Sequence, residues 1–206
     1  MELSEVLRTR RMTRSYDSHR PVPATVVKML LNRAIRAPSA GHTQGRRFLV
    51  LDDITSRARF WSATSSGVAD SWRRRIEQAP VLVVCFCDQQ AYLDRYAAKD
   101  KVASSLATRP GNDWAVPYWH VDTGMAAMIL LLAAHDAGLG ACFFGVPSER
   151  WPALFDAFDV PVGLVPVGVI SLGYPTADRP DPALNRPRQP YDEQVRYRSF
   201  GSSAAR

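Results

Sequence analysis

Lysine is scarce in this chain. Of 26 cationic residues only Lys28, Lys99 and Lys101 are lysines, and the rest are arginine. Cysteine is scarce too. Three cysteines cannot build a disulfide framework, and Cys85 and Cys87 alternate within an apolar run, where core packing is their ordinary role. That composition points to a reduced, cytoplasmic setting. The four histidines (His19, His42, His120, His135) lack metal-ligand spacing, so no metal site is expected. The apolar run Ala126 to Ala134 falls far short of the ~20 residues that span a bilayer. The opening MELSEVLRTRRMTR is polar and shows no secretory core. GxGxxG, Walker A, HExxH and GxSxG motifs are all missing, which removes the commonest nucleotide, zinc and serine-hydrolase signatures.

What is present is 206 residues, 46% hydrophobic, enough for one full core. Net charge is +6, but the Arg clusters at 8–14, 46–47, 73–75 and 186–188 are far apart in sequence. A nucleic-acid binder usually concentrates charge on one face, and composition leaves open whether folding brings these clusters together; neither nucleic acid nor membrane is the expected partner. Arg is the better phosphate clamp, because its planar fork bonds two oxygens at once.

Hydrophobic spacing predicts a short helix over Met1–Arg11 and a second after Pro23, with Val27, Leu30, Leu31 and Ala34 at i, i+3, i+4, i+7. Ala37-Pro38 ends it. Strands are predicted at Arg47–Leu51, Pro80–Cys87, Ala141–Val146 and Leu164–Leu172; Pro166 marks a strand start or a bulge. The run PVLVVCFC reads as a central strand buried on both faces. Residues 54–78 read as helix, interrupted near Ser65-Ser66-Gly67, and another helix starts at Ser148. Asp122 reads as the cap of a helix over Thr123–Ala137 that is apolar nearly all round, so it must be buried at the centre of something. After Pro175 the chain is rich in Pro, Arg and Asp and has no core of its own. The tally of strands and helices is mixed α/β or α+β.

Two segments carry chemistry. In RTRRMTRSYD, Arg10, Arg11 and Arg14 crowd three cations into five residues; such a cluster suits a phosphate monoester, or is a solvated basic patch. In APSAGHTQGRRF, small polar groups sit on a Gly-containing turn that can lay backbone N–H groups against a ligand. Trp114, Tyr118 and Trp119 either stack on a planar ligand or pack together. His135 on the apolar helix reads as a core or interface histidine.

In this order, RRMTRSYD, PVP, APSAGHTQGRRF, AAMILLLAAHDAGLGACFFG, VPVGVISLGYP and NRPRQPYDE resemble the nitroreductase family of flavoproteins over about residues 5–195. The resemblance implies an α+β fold, a central mixed β-sheet flanked by helices, in an intertwined homodimer with one FMN at each of two subunit interfaces. Residues 1–175 would form the flavin domain, and 176–206 an extended C-terminal arm around the partner subunit.

The resemblance also implies roles. Arg10, Arg11 and Arg14, with Arg186 and Arg188 from the tail, would hold the ribityl phosphate; Met12 stands where the family has a phosphate-donating Ser. Pro38, Ser39, His42 and Gln44 would form the loop contributed by the other subunit, His42 standing for Asn and Gly45-Arg46 for Pro-Trp. Phe144 and Gly145 would turn backbone N–H groups toward the flavin ring, and Ser71 and Arg74 would meet its edge, Arg74 stabilising the reduced ring. Trp114, Tyr118 and Trp119 would face the acceptor. The implied activity is hydride transfer from NAD(P)H through FMN to a nitroaromatic or quinone, by a ping-pong mechanism with no side-chain nucleophile. A deazaflavin-linked or biosynthetic redox enzyme, or a flavin-binding protein without turnover, are the other readings of the same scaffold.

Overall fold

The computed structural model describes residues 1–65, 71–176 and 187–200. Four strands, β1 (Arg46–Leu51), β2 (Val81–Asp88), β3 (Gly140–Phe144) and β4 (Leu164–Gly173), form one sheet in the order β1-β2-β4-β3. A mixed sheet was expected. Among the described residues every strand pair is antiparallel, and the parallel pairing is the isolated bridge Met12–Ala141 at the β3 edge.

Alternation on β2 explains the layers. Val81, Val83 and Cys85 face one core; Leu82, Val84 and Phe86 face the other. The first core is covered by α2 (Ala24–Ala34) and α6 (Tyr118–Asp136), through Val27, Leu30, Ala34, Ala127, Leu130 and Ala134. The second is covered by α3 (Ile54–Thr64) and α7 (Trp151–Phe158), through Phe60 and Leu154. A continuous apolar strand is what burial on both faces requires, and β2 is buried from Val81 to Cys87. The register of β4 shifts between Cys85 and Phe86, which pair with Gly168 and Pro166, so Val167 is the bulged residue beside the proline.

α1 (Leu3–Thr9) rests on the C-terminal end of α6. The Met1 ammonium bonds Asp136 at 2.6 Å, and Thr9 Oγ1 meets His135 Nε2 at 2.7 Å. α6 differs from the expectation at its start. It begins at Tyr118, after Pro117, and Asp122 lies inside it, buried. α5 (Gln89–Tyr96) has no counterpart in the sequence reading, because QQAYLDRY carries no apolar stripe. α4 (Ser71–Ile76) follows α3 as the interrupted pattern suggested, and α8 (Tyr191–Gln194) is a single exposed turn in the tail.

Candidate functional site

The basic run lies along the outer edge of β3. Thr13 N–H donates to Ala141 O at 2.8 Å, and Met12 bridges Ala141. Gly140 permits this approach: a Cβ there would stand 2.6 Å from Thr13 Cγ2 and 2.8 Å from its Cβ. Beneath the run, the buried Tyr16 hydroxyl donates to Thr13 O and meets Ser171 Oγ at 2.8 Å. Arg10, the cap of α1, is half-buried, and its Nη1 is fully enclosed with no hydrogen-bond partner. Arg14 Nη1 reaches Met12 O at 3.4 Å, and Arg11 is exposed. Met12 turns inward: it packs against both cores, and its Sδ accepts from Phe143 N–H at 3.5 Å, so its side chain offers nothing to an anion.

Phe144 and Gly145 end the same strand. Phe144 is stacked on Trp61 at 5.7 Å and meets Trp72 edge-on at 5.4 Å, which places α4, with the exposed Ser71 and Arg74, beside this end of β3. Gly145 is exposed. The β3 edge thus runs from the arginine segment to the Phe144 end, with α4 alongside.

The loop leading into β1 lies elsewhere. Pro38, Ser39, His42 and Gln44 sit beside the Arg46 end of β1, whereas the arginine segment sits beside Gly140, which pairs with the far end of β4. The two are at diagonally opposite corners of the sheet, three strand spacings across and most of β4 along, roughly 30 Å apart. The loop is strained and held. His42 and Gln44 both have φ of 57°, the left-handed region, as does Gly41 at 60°. Non-glycine residues persist there only where surrounding structure over-determines them. Ser39 Oγ accepts from Gln44 N–H at 2.9 Å, and Gln44 Nε2 donates to His42 Nε2 at 3.0 Å, leaving both side chains exposed.

Trp114, Tyr118 and Trp119 come together, but largely with one another. Trp114 and Trp119 are each 6% exposed, in a cluster with Tyr92, Tyr96 and Cys87. Trp114 Nε1 donates to Arg109 O at 3.2 Å. Of the three only Tyr118 is half-exposed, so the two tryptophans shape a wall rather than offer a face. Ala40 packs on this cluster, which assigns it to the loop's corner. Arg188 is exposed in the tail, and Arg186 lies outside the described residues.

No thiol is available as a nucleophile. All three cysteines are free and buried, and burial pushes Cys85 and Cys87 up to about 12. Among the described residues no group of His, Cys, Asp and Glu could hold a metal ion, and no helix is long and apolar enough to cross a membrane.

The model of the family described as "Nitroreductase family" matches residues 7–174. The chain belongs to the nitroreductase family. A Methanothermobacter thermautotrophicus protein, provisionally named NADH dehydrogenase/NAD(P)H nitroreductase, is 31% identical over 177 residues, covering 85% of this chain and 78% of that one. Among solved structures, a nitroreductase family protein of Clostridium difficile shares the fold with a TM-score of 0.71 at 22% identity, over 97% of this chain and 100% of the other. A protein of Exiguobacterium sibiricum, provisionally a nitroreductase and solved in complex with FMN, does so with a TM-score of 0.73 at 21% identity, over 96% of this chain and 97% of the other.

Proposed function

We propose that this nitroreductase-family protein is an FMN-dependent oxidoreductase that takes hydride from NAD(P)H and reduces a small planar acceptor, a quinone or nitroaromatic. The observation that carries the reading is Arg10. Its Nη1, on a segment pinned to β3, has no partner within the chain, and a phosphate oxygen admitted beside it would supply one. Arg14 and Arg11 add charge beside it, and a tail arginine, Arg186 or Arg188, would close over it.

When bound, FMN supplies the two-electron chemistry, and the protein binds, orients and polarises it. Backbone N–H groups at Phe144 and Gly145 would meet the ring, and Arg74 would favour negative charge at its edge. The loop residues Pro38, Ser39, His42 and Gln44, roughly 30 Å away, are too distant to serve the same bound molecule from the same chain. We therefore assign them to the site of a second copy. Exposed apolar side chains support the pairing: Val121, Met125 and Met128 form an i, i+4, i+7 stripe on α6, and Leu3 and Leu7 are exposed on α1. Residues 176–206 would complete the dimer as an arm. Tyr118 would border the acceptor, with Trp114 and Trp119 behind it. One exposed ring face accepts one planar ligand at a time, so donor and acceptor alternate in a ping-pong cycle within the cytoplasm.

The test is the cofactor that purifies with the protein. Mass spectrometry should find FMN, and NAD(P)H should bleach its visible band without oxygen. With a quinone acceptor, double-reciprocal plots should be parallel. A deazaflavin in the purified protein would overturn the FMN assignment, a bound flavin that NAD(P)H never bleaches would leave a binding protein, and intersecting lines would remove the shared site.

A further inference from the structure

The helix residue Asp122 is buried, 2% exposed. One of its oxygens, Oδ2, accepts two hydrogen bonds: from the Tyr92 hydroxyl at 2.7 Å and from the Ala40 backbone N–H at 2.8 Å. Ala40 lies in the loop that holds His42 and Gln44 in the left-handed region. A buried carboxylate is unfavourable unless a positive group opposes it. The candidate is Arg46, 7% exposed, whose Nη2 donates to Ile35 O at the end of α2 and whose Nε and Nη1 are enclosed without partners. Burial raises the pKa of the Tyr92 hydroxyl most; Asp122 raises it further and Arg46 lowers it. Arg46 thus fixes the chain before the loop, and Asp122 fixes its middle. α5 adds a third hold, Arg95 Nε to Gly41 O at 2.8 Å, with Arg95 itself clamped by Asp100 at 2.8 and 2.7 Å.

We propose that Asp122, braced by Tyr92 and opposed by Arg46, is a positioning residue that holds loop 39–44 in the strained form presenting His42 and Gln44 to the cofactor of the neighbouring copy. The cofactor half of this statement rests on the reading under Proposed function. The loop half does not.

The experiment uses the full-length protein with Asp122→Ala, Asp122→Asn and, as a control in the same helix, Leu130→Ala, which truncates a fully buried core residue. Hydrogen–deuterium exchange reports the loop without any cofactor. Asp122→Ala should speed exchange across residues 39–45 by about tenfold, with α2 unchanged, because a backbone N–H loses its only buried acceptor. Asp122→Asn keeps an acceptor for the Ala40 N–H but removes the charge, so its exchange should lie between. FMN binding, read by flavin fluorescence, should weaken in the same order, and the visible spectrum of bound FMN should shift as the loop moves at its edge. Leu130→Ala should lower Tm and move neither loop exchange nor spectrum. Unchanged loop exchange in both Asp122 variants overturns the proposal, as does an equal spectral shift in Leu130→Ala. Faster loop exchange with FMN affinity and spectrum unchanged removes the cofactor half. Wild-type protein that binds no FMN removes the flavin reading instead, and the exchange data still decide what holds the loop.

Discussion

Arg10 and Arg46 each carry an enclosed guanidinium nitrogen without a partner, yet they ask for different things. Arg46 is buried within its own chain, bonded to Ile35 O, and the proposed counter-charge is the buried Asp122. Arg10 is half-buried in a run of like charges on a sheet edge, and an outside anion is its complement. A hydrogen bond to a charged group contributes about 1.5–3 kcal/mol, so Arg10→Ala should weaken FMN roughly ten- to hundredfold. Isothermal titration of the apoprotein measures this, with circular dichroism showing an intact fold; unaltered affinity would move the phosphate elsewhere. His120 makes a different prediction. It lies in the first turn of α6 beside Trp119, its Nδ1 is enclosed without a partner, and burial holds its pKa below the ordinary value. The fold therefore accommodates the neutral ring. The unfolded chain takes up the proton first, near pH ~6.5, so this contribution is complete above that value and is lost as pH falls below it. His120→Gln cannot titrate. Between about pH 7.5 and 5.5 wild-type Tm should fall more than that of the variant, and parallel curves would show that His120 protonates freely when folded.

Strands and motifs were legible for a local reason. PVLVVCFC is apolar and β-branched without interruption, and only a doubly covered strand tolerates that. The helix face of Val27, Leu30 and Ala34 was legible through its period. α5 was not, since its contribution to the core is concentrated in the fully buried Tyr92. The start of α6 was misread because Asp122 has the chemistry of an N-cap; its actual partners, Tyr92 and Ala40, are distant in sequence, and no spacing rule reaches them. Trp114 and Trp119 could be read as stacking platform or packing, and their mutual burial favours packing. The β3 edge illustrates an element whose role depends on one small residue. Gly140→Ala would force Thr13 away from the strand, since a Cβ would overlap its side chain close to the backbone. Overpacking of this kind costs about 1–3 kcal/mol. Denaturant titration should show that loss, and FMN affinity should fall with it as the segment carrying Arg10 and Arg14 shifts. A Gly140→Ala protein as stable as wild type would show that the segment is not clamped to β3.

At the scale of the molecule, the sheet separates the two halves of the proposed site, and that separation makes a sharp test possible. The arginine run and Phe144 lie along the β3 edge; the His42–Gln44 loop, the aromatic cluster and its Asp122 brace lie at the far corner beside the start of β1. If each bound FMN draws its phosphate contacts from one chain and its loop contacts from another, two different defects can complement. One variant carries Arg10→Ala and Arg14→Ala; the other carries Ser39→Ala, His42→Ala and Gln44→Ala. Each alone should bind FMN poorly, because both of its sites contain one damaged half. In a mixed dimer one site collects both damaged halves and the other collects none. Unfolding and refolding the two variants together in equal amounts makes about half the dimers mixed, so about a quarter of all sites should regain wild-type affinity and NAD(P)H-dependent bleaching. Refolding either variant alone is the control. Recovery near that level requires a site shared between chains. Absence of recovery, with mixed dimers verified by mass spectrometry, would mean that the loop at the β1 corner takes no part in the flavin site, and the two-chain arrangement would have to be abandoned.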